Sequence, residues 1–534
     1  MKHLTRRDFL KLLGASSIGL TLVACGVPPT PTATPAPTNT ALPTGTALPT
    51  ATATLTSTPA LTSTATATPT SVPTYSVEQI GFQGVPRIEN RAEWQTASRL
   101  SMEQYAKTLG IDSKSIQLTI KGYKNKTGNQ YALAETSDGT PLLIATQDKK
   151  GGEWGWKGNP EEILTIGARL NGLENYGLSG IDPSQGDSLT DSRISLFPRA
   201  ETNDYGVNYI LRNGPDKPDF RAIDNAQAAF NRAGTKLSYG FVFPTNPKYF
   251  SALMKSEASK NMTPQQWENL VVWYAETFAK TFPQIDEVVI SNELLWGIRS
   301  SGLVGLAELP WFNPSKDVST PYPNFLRKVS EAVKKGNPNA VRVFGESEVL
   351  ELDSAKTKKT LEMASALYKD GLIEKVALQG HFLFDFSLTY AMAPKAPRTE
   401  VELKQFEETL KSRLRPFMVD LGIPTGINEL DVIFANNTSV SEAERPFVAA
   451  KVEVAAIEAY LEILDEVKQS SLPEATKQKV ISRSSLYHWG LDKETAWKQY
   501  PDYQNDYSLY ANGKPLPSVY AVSKIFFDRA LGRK

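Results

Sequence analysis

Two glutamates stand at matching places in this chain. Glu293 closes the apolar run "IDEVVISNE", and Glu429 closes the shorter run "IPTGINE", each directly after an asparagine, Asn292 and Asn428. Two carboxyl groups facing each other can divide the work of cutting a glycosidic bond. One, held protonated, gives its proton to the leaving oxygen, while the other, ionised, attacks the anomeric carbon. Glutamates near strand ends also make ordinary ion pairs, so the chemistry depends on the elements that bring the two together. The neighbours add weight. The chain has 3 histidines. His3 lies at the start, and His381 in "VALQGH" and His488 in "LYHWG" end two further apolar runs together with Gln379 and Trp489. Two histidines without cysteines make a poor metal site, so they are expected to act as hydrogen-bonding and stacking groups, with no metal and no cofactor.

The elements that must position these residues follow a rhythm from Pro160 onward. Short apolar or β-branched runs alternate with long amphipathic ones: "LTIGARL", "GVNYIL", "KLSYGFVF", "DEVVISNE", "VRVFGE", "KVALQGH", "PTGINELDV" and "SSLYHWG". The boundaries of the intervening helices are marked. Thr263 and Gln266 form a capping box ahead of the stripe Trp267, Leu270, Val271, Tyr274 and Phe278, and Gly234, Gly336 and Gly422 fall where helices should stop. About eight alternations with short links predict an α/β fold, a (β/α)8 TIM barrel over residues 160–534. Glu293 would then end the fourth strand and Glu429 the seventh, on opposite sides of the mouth at the carboxyl face, where barrel enzymes place their chemistry.

Ahead of the barrel, residues 76–159 read as a small β-rich module or barrel cap. "SIQLTIKGYKN", "QYALAETSDG" and "PLLIATQ" are separated there by turn signals, and Trp154 and Trp156 form either a stacking platform or core packing. Residues 26–75 are almost wholly threonine, proline, alanine and serine, a disordered tether without the apolar content to fold. Residues 1–25 have the form of an export signal. "TRRDFLK" resembles a twin-arginine signal, and "LVAC" resembles a lipobox whose Cys25, the only cysteine in the chain, would be lipidated. The expected location is therefore the extracellular face of a bacterial cell membrane, with the lipid on Cys25 as anchor. Lys plus Arg and Asp plus Glu total 58 each, so no excess of positive charge is available for nucleic acid. Oligomeric state leaves no trace in the sequence.

The ordered motifs resemble those of family 10 glycoside hydrolases, the retaining endo-β-1,4-xylanases, over roughly the last two-thirds of the chain. "VVISNELL" is similar to that family's acid/base segment and "INELDV" to its nucleophile segment. "LQGH" is similar to the Q-x-H of strand six, "HWGLDKETAW" to the strand-eight motif, and "GKPLPSVYAV" to the final helix. The resemblance implies double displacement, with Glu429 as nucleophile and Glu293 as acid/base. Asn292, Gln379, His381, Trp489 and Trp497 would bind substrate. His381, directly or through Gln379, would orient Glu429 and keep it ionised, Asn292 would reach the sugar 2-hydroxyl, and the two tryptophans would form the floor.

The departures lie on the glycone side. "GVNYILRNG" lacks the family's strand-two lysine pattern, and in "YGFVFPTN" Phe243 and Pro244 replace a tryptophan and a histidine. The family's N-D-Y-N becomes "GESE", which adds Glu346 and Glu348, and Asp492 comes one place early. Three readings follow: a glycanase acting on xylan or a related β-linked polymer, a surface-held carbohydrate-binding protein on a decayed barrel, and a glycosidase for another sugar.

Overall fold

Runs of residues that are apolar on both faces suit strands covered on one side by helices and on the other by a barrel interior. The computed structural model describes residues 76–77, 92–124, 130–146, 155–181, 199–202, 219–221 with 224, 227, 228 and 231, 236–241, 261–292, 294–295, 321–347, 349–350, 354–385, 394–435, 438–489, 506–511 and 514–533. These all belong to one compact unit.

Five strands come first: β1 (Ser76–Val77), β2 (Thr119–Lys124), β3 (Gln130–Glu135), β4 (Pro141–Thr146) and β5 (Gly155–Lys157). Eight more follow: β6 (Asn175–Ile181), β7 (Arg199–Thr202), β8 (Lys236–Phe241), β9 (Glu287–Ser291), β10 (Val341–Glu346), β11 (Lys375–Phe384), β12 (Thr425–Phe434) and β13 (Ser485–Trp489). Each of these eight is parallel to the next, and β13 pairs with β6, Ser485 opposite Asn175, so the sheet closes on itself. It is the expected (β/α)8 barrel. The outer elements are α1 (Ala92–Leu109), α2 (Pro160–Leu170), α3 (Pro264–Thr281), α4 (Asn324–Gly336), α5 (Ser354–Lys369), α6 (Glu400–Arg415), α7 (Arg445–Gln469), α8 (Glu474–Arg483) and α9 (Pro517–Ala530).

Six of the eight expected barrel runs coincide with strands. "LTIGARL" does not, because residues 164–170 are the second half of α2. Asn159 caps that helix by accepting the Glu161 N–H at 3.0 Å, and Leu164, Gly167 and Ala168 are buried at helical spacing. A Cβ added to Gly167 would stand 2.9 Å from the Phe526 Cβ, so the glycine lets α2 lie close against α9. The first strand is instead "NYGLSGI". "GVNYIL" lies outside the described residues, and the second strand is the four-residue "RAET". The α3 capping box forms in both directions, Thr263 N–H to Gln266 Oε1 at 2.8 Å and Gln266 N–H to Thr263 Oγ1 at 3.3 Å, and the stripe behind it is buried as expected. Gly422 takes the left-handed conformation (φ +63°) after α6, whereas Gly336 serves close packing, since its Cβ would meet the Glu276 carbonyl at 2.3 Å. Gly234 lies outside the described residues.

The five early strands form one sheet in the order β1 to β5, antiparallel from β2 on, with Gly139 (φ +83°) in the turn between β3 and β4. Leu133 and Ile144 of this sheet pack with Ile163 of α2 and Phe527 of α9 in one buried cluster. Buried Glu135 receives the Arg533 guanidinium at 2.9 Å, and the Tyr123 hydroxyl donates to the Ala530 carbonyl at 2.6 Å. The sheet therefore covers the outer helices α2 and α9. Trp156 packs against the hydrophobic core; Trp154 lies outside the described residues.

Candidate active site

Side chains alternate between the two faces of a strand, and in a barrel one face looks along the axis. Buried Lys375 and Glu287 pair across the interior at 2.8 Å at the amino ends of β11 and β9. Above them Val289, Val343, Ala377 and Tyr487, from four strands, form a separate inner cluster. Continuing by twos along β11 from Ala377 brings Gln379 and then His381 to the same face. Gln379 pairs in register with Asn428 of β12, and both are buried, at 3% exposure each.

At that level β12 leaves regular register. The pairing shifts between Gln379 and His381 on one side and between Ile427 and Leu430 on the other, and Glu429 adopts φ +58°. A left-handed backbone at a non-glycine residue costs on the order of 1–3 kcal/mol and persists only where the surroundings enforce it. The reason is visible in the neighbours. Ile427 and Leu430, three residues apart, both pack in the outer core, so one extra residue is accommodated between them, and Glu429 and Asp431 are both delivered to His381.

The result is a chain of three side chains. His381 Nε2 lies 2.7 Å from Glu429 Oε2, and its Nδ1 lies 2.7 Å from Asp431 Oδ1. Burial opposes a charge on His381. The charge and hydrogen bond of Asp431, followed by those of Glu429, outweigh it and hold the imidazole well above its usual value. As an imidazolium, His381 donates to both carboxylates at once. The Trp489 ring meets it edge to face, with centroids 5.4 Å apart at 80°. Glu429 keeps its second oxygen, Oε1, outside this contact.

Opposite, β9 ends in fully buried Ser291, half-buried Asn292, and then buried Leu294 and Leu295. Glu293 itself lies outside the described residues, as do Trp497, Asp492, Glu348, Phe243, Pro244 and Cys25. Glu346, at the end of neighbouring β10, is fully buried. It accepts the Leu295 N–H at 2.9 Å and the Ser347 N–H at 3.1 Å, and it pairs with buried Lys356 at 3.2 Å. Burial pushes its carboxyl up against the pull of Lys356 and these N–H groups. Glu346 is thus no part of a sugar-binding surface.

No family model and no curated protein matches this sequence. Solved structures do. Xylanase 10B from Thermotoga petrophila RKU-1, determined with xylobiose, matches with a TM-score of 0.51 at 14% identity, over 69% of this chain and 98% of its own. Native xylanase 10B from Thermotoga maritima matches with a TM-score of 0.50 at 16% identity, over 69% and 99%. The fold is that of the family 10 xylanases.

Within this family 10-like barrel, Gln379, His381, Asn428, Glu429 and Trp489 come together, and Asn292 ends a strand facing them. His488 does not join them. It is fully buried, its ring 5.6 Å from that of Tyr176 and its Nδ1 3.8 Å from Glu453 Oε2 on α7, and burial pushes it down to about 3. The expectation that it shares the catalytic face fails on alternation, because His488 and Trp489 are adjacent and must point to opposite sides. Trp489 is 8% exposed and packs against His381, which leaves little of its ring for a sugar floor. Sequence reasoning passed over Asp431 and noted Asn428 only as the residue before Glu429, without a role. Asp431 was detectable, since it stands two residues from Glu429 on a strand.

Proposed function

We propose that the barrel is a retaining glycoside hydrolase, an endo-β-1,4-xylanase-like enzyme acting on xylan or a related plant β-glycan. The observation that carries this reading is the Glu429–His381–Asp431 chain, built on a strained bulge at the carboxyl face. His381 fixes Glu429 Oε2, so Oε1 is the oxygen that attacks the anomeric carbon to form a glycosyl-enzyme. Glu293, from the opposite side, protonates the departing oxygen and then activates the water that releases the sugar, with its carboxyl about 5–5.5 Å from that of Glu429. Asn292 hydrogen-bonds the 2-hydroxyl of the sugar beside the cleaved bond, Gln379 lines the same site, and Trp489 and Trp497 border it. Burial of Glu346 removes one of the observations that pointed to a different sugar.

In the same reading the chain is exported with a lipid on Cys25, and residues 26–75 hold the enzyme away from the membrane. Reducing-sugar release by the chain from Ser76 onward, across xylan, mixed-linkage glucan, mannan and arabinan, tests the activity, with Glu429→Gln as control. Release from xylan that vanishes in the control supports the proposal. Polysaccharide binding without release from any polymer would favour the carbohydrate-binding reading.

A further inference from the structure

We propose that Glu346 is a positioning residue that fixes the described residues flanking position 293, Asn292 before it and Leu294 and Leu295 after it, a role that rests on the glycosidase reading above for its catalytic consequence. The turn after β9 is held on both sides of that position. Before it, Asn292 lies over Gly345, where an added Cβ would come within 2.9 Å of the Asn292 Oδ1 and 3.1 Å of the Ser291 carbonyl. Only glycine leaves that room. After it, the Leu295 N–H donates to Glu346 Oε2 at 2.9 Å, while Leu294 and Leu295 are anchored in the core, each 1% exposed.

Glu346 is itself fixed by two further contacts to Oε1. These are the Ser347 N–H at 3.1 Å and Lys356 Nζ at 3.2 Å, and the Lys356 and Glu346 side chains are 1% and 0% exposed. The ammonium also reaches the Ser347 hydroxyl at 3.1 Å. A carboxylate taken this far from water is costly unless each oxygen is engaged, and here both are. One oxygen binds α5 through Lys356, and the other binds the turn. Glu346 thus ties the β9 turn to strand β10 and helix α5.

Two paired variants test it. Glu346→Leu with Lys356→Met removes both charges and the acceptor for the Leu295 N–H while keeping the site filled. Glu346→Gln with Lys356→Met restores an acceptor without the charge. The structure predicts that amide exchange in peptides spanning 292–297 rises at least about tenfold in the Leu/Met protein, recovers in the Gln/Met protein, and is unchanged in β11 and β12. For activity, kcat/KM isolates the first step. It should fall about 100-fold for an unactivated oligosaccharide, because a misplaced acid cannot protonate the leaving oxygen. It should fall less than about fivefold for a dinitrophenyl glycoside of the same sugar, whose leaving group needs no proton. Equal losses on both substrates, or unchanged exchange at 292–297, would overturn the proposal. If the unmodified protein turns over neither substrate while exchange responds as predicted, the clamp stands and the glycosidase reading alone has failed.

Discussion

His381 sits between two carboxylates, and its charge state decides how many of them it can hold. A neutral imidazole has one N–H and can donate to only one, so with both carboxyl groups ionised the Glu429–His381–Asp431 chain at 2.7 Å on each side is held by the cation. The raised value of His381 means that the cation forms well above the usual imidazole range and is lost only as pH climbs through that raised value. Asp431→Asn keeps the shape but removes the largest support for the charge. His381 should then lose its proton at lower pH and release Glu429, a shift that NMR titration of the imidazole would measure directly. At neutral pH activity should drop on the order of 10- to 100-fold, the worth of a charged hydrogen bond of about 1.5–3 kcal/mol. An unshifted imidazole titration would show that Asp431 does not act through His381. At this scale much of the site was legible: Glu429, Gln379 and His381 are named by motif, and spacing by twos puts Asp431 with Glu429. His488 was misread because position near a strand end was weighed without the alternation that sends it outward.

The irregularities of single elements were harder to see. Nothing in "INELDV" announces an extra residue between Ile427 and Leu430, because both are leucine-like residues that either face would accept; tertiary packing chose the outer core for both. "LTIGARL" carries a β-branched, apolar core that suits a strand, yet its Leu164, Gly167 and Ala168 also fit a helix face, and the Asn159 cap with Pro160 decides for α2. "RAET" is too short and polar to signal a strand, and it is held by its two neighbours in the closed sheet. The close approach of β9 and β10 gives a test at this scale. Gly345→Ala should push Asn292 away from its place and lower stability by about 1–3 kcal/mol, the range for overfilling a packed site. Denaturant midpoints would measure the stability, and kcat/KM would measure the accompanying loss. Wild-type values in both would show that the β9 turn has slack.

For the whole molecule, the closed barrel and the early sheet share structure through α2 and α9. Leu133 and Ile144 bury the outer faces of Ile163 and Phe527, and Glu135 neutralises Arg533 at the chain's far end. A barrel cut out from Pro160 onward would expose that cluster and remove the Glu135 partner of Arg533, leaving it only Asp528. It should therefore be insoluble or melt well below the chain from Ser76, whereas equal melting temperatures would show an independent domain. The alternation of runs made the barrel legible, and the turn signals made the sheet legible. Their fusion was not, since it depends on contacts hundreds of residues apart. The central claim concerns Glu429, and the most direct measurement is to trap its covalent intermediate. A 2-deoxy-2-fluoro glycoside with a good leaving group slows both steps but lets the first proceed, so the adduct accumulates. Mass spectrometry of the digested protein should find one sugar on the peptide that contains Glu429. An adduct on another residue, or a product released with inverted anomeric configuration and no adduct, would contradict the account.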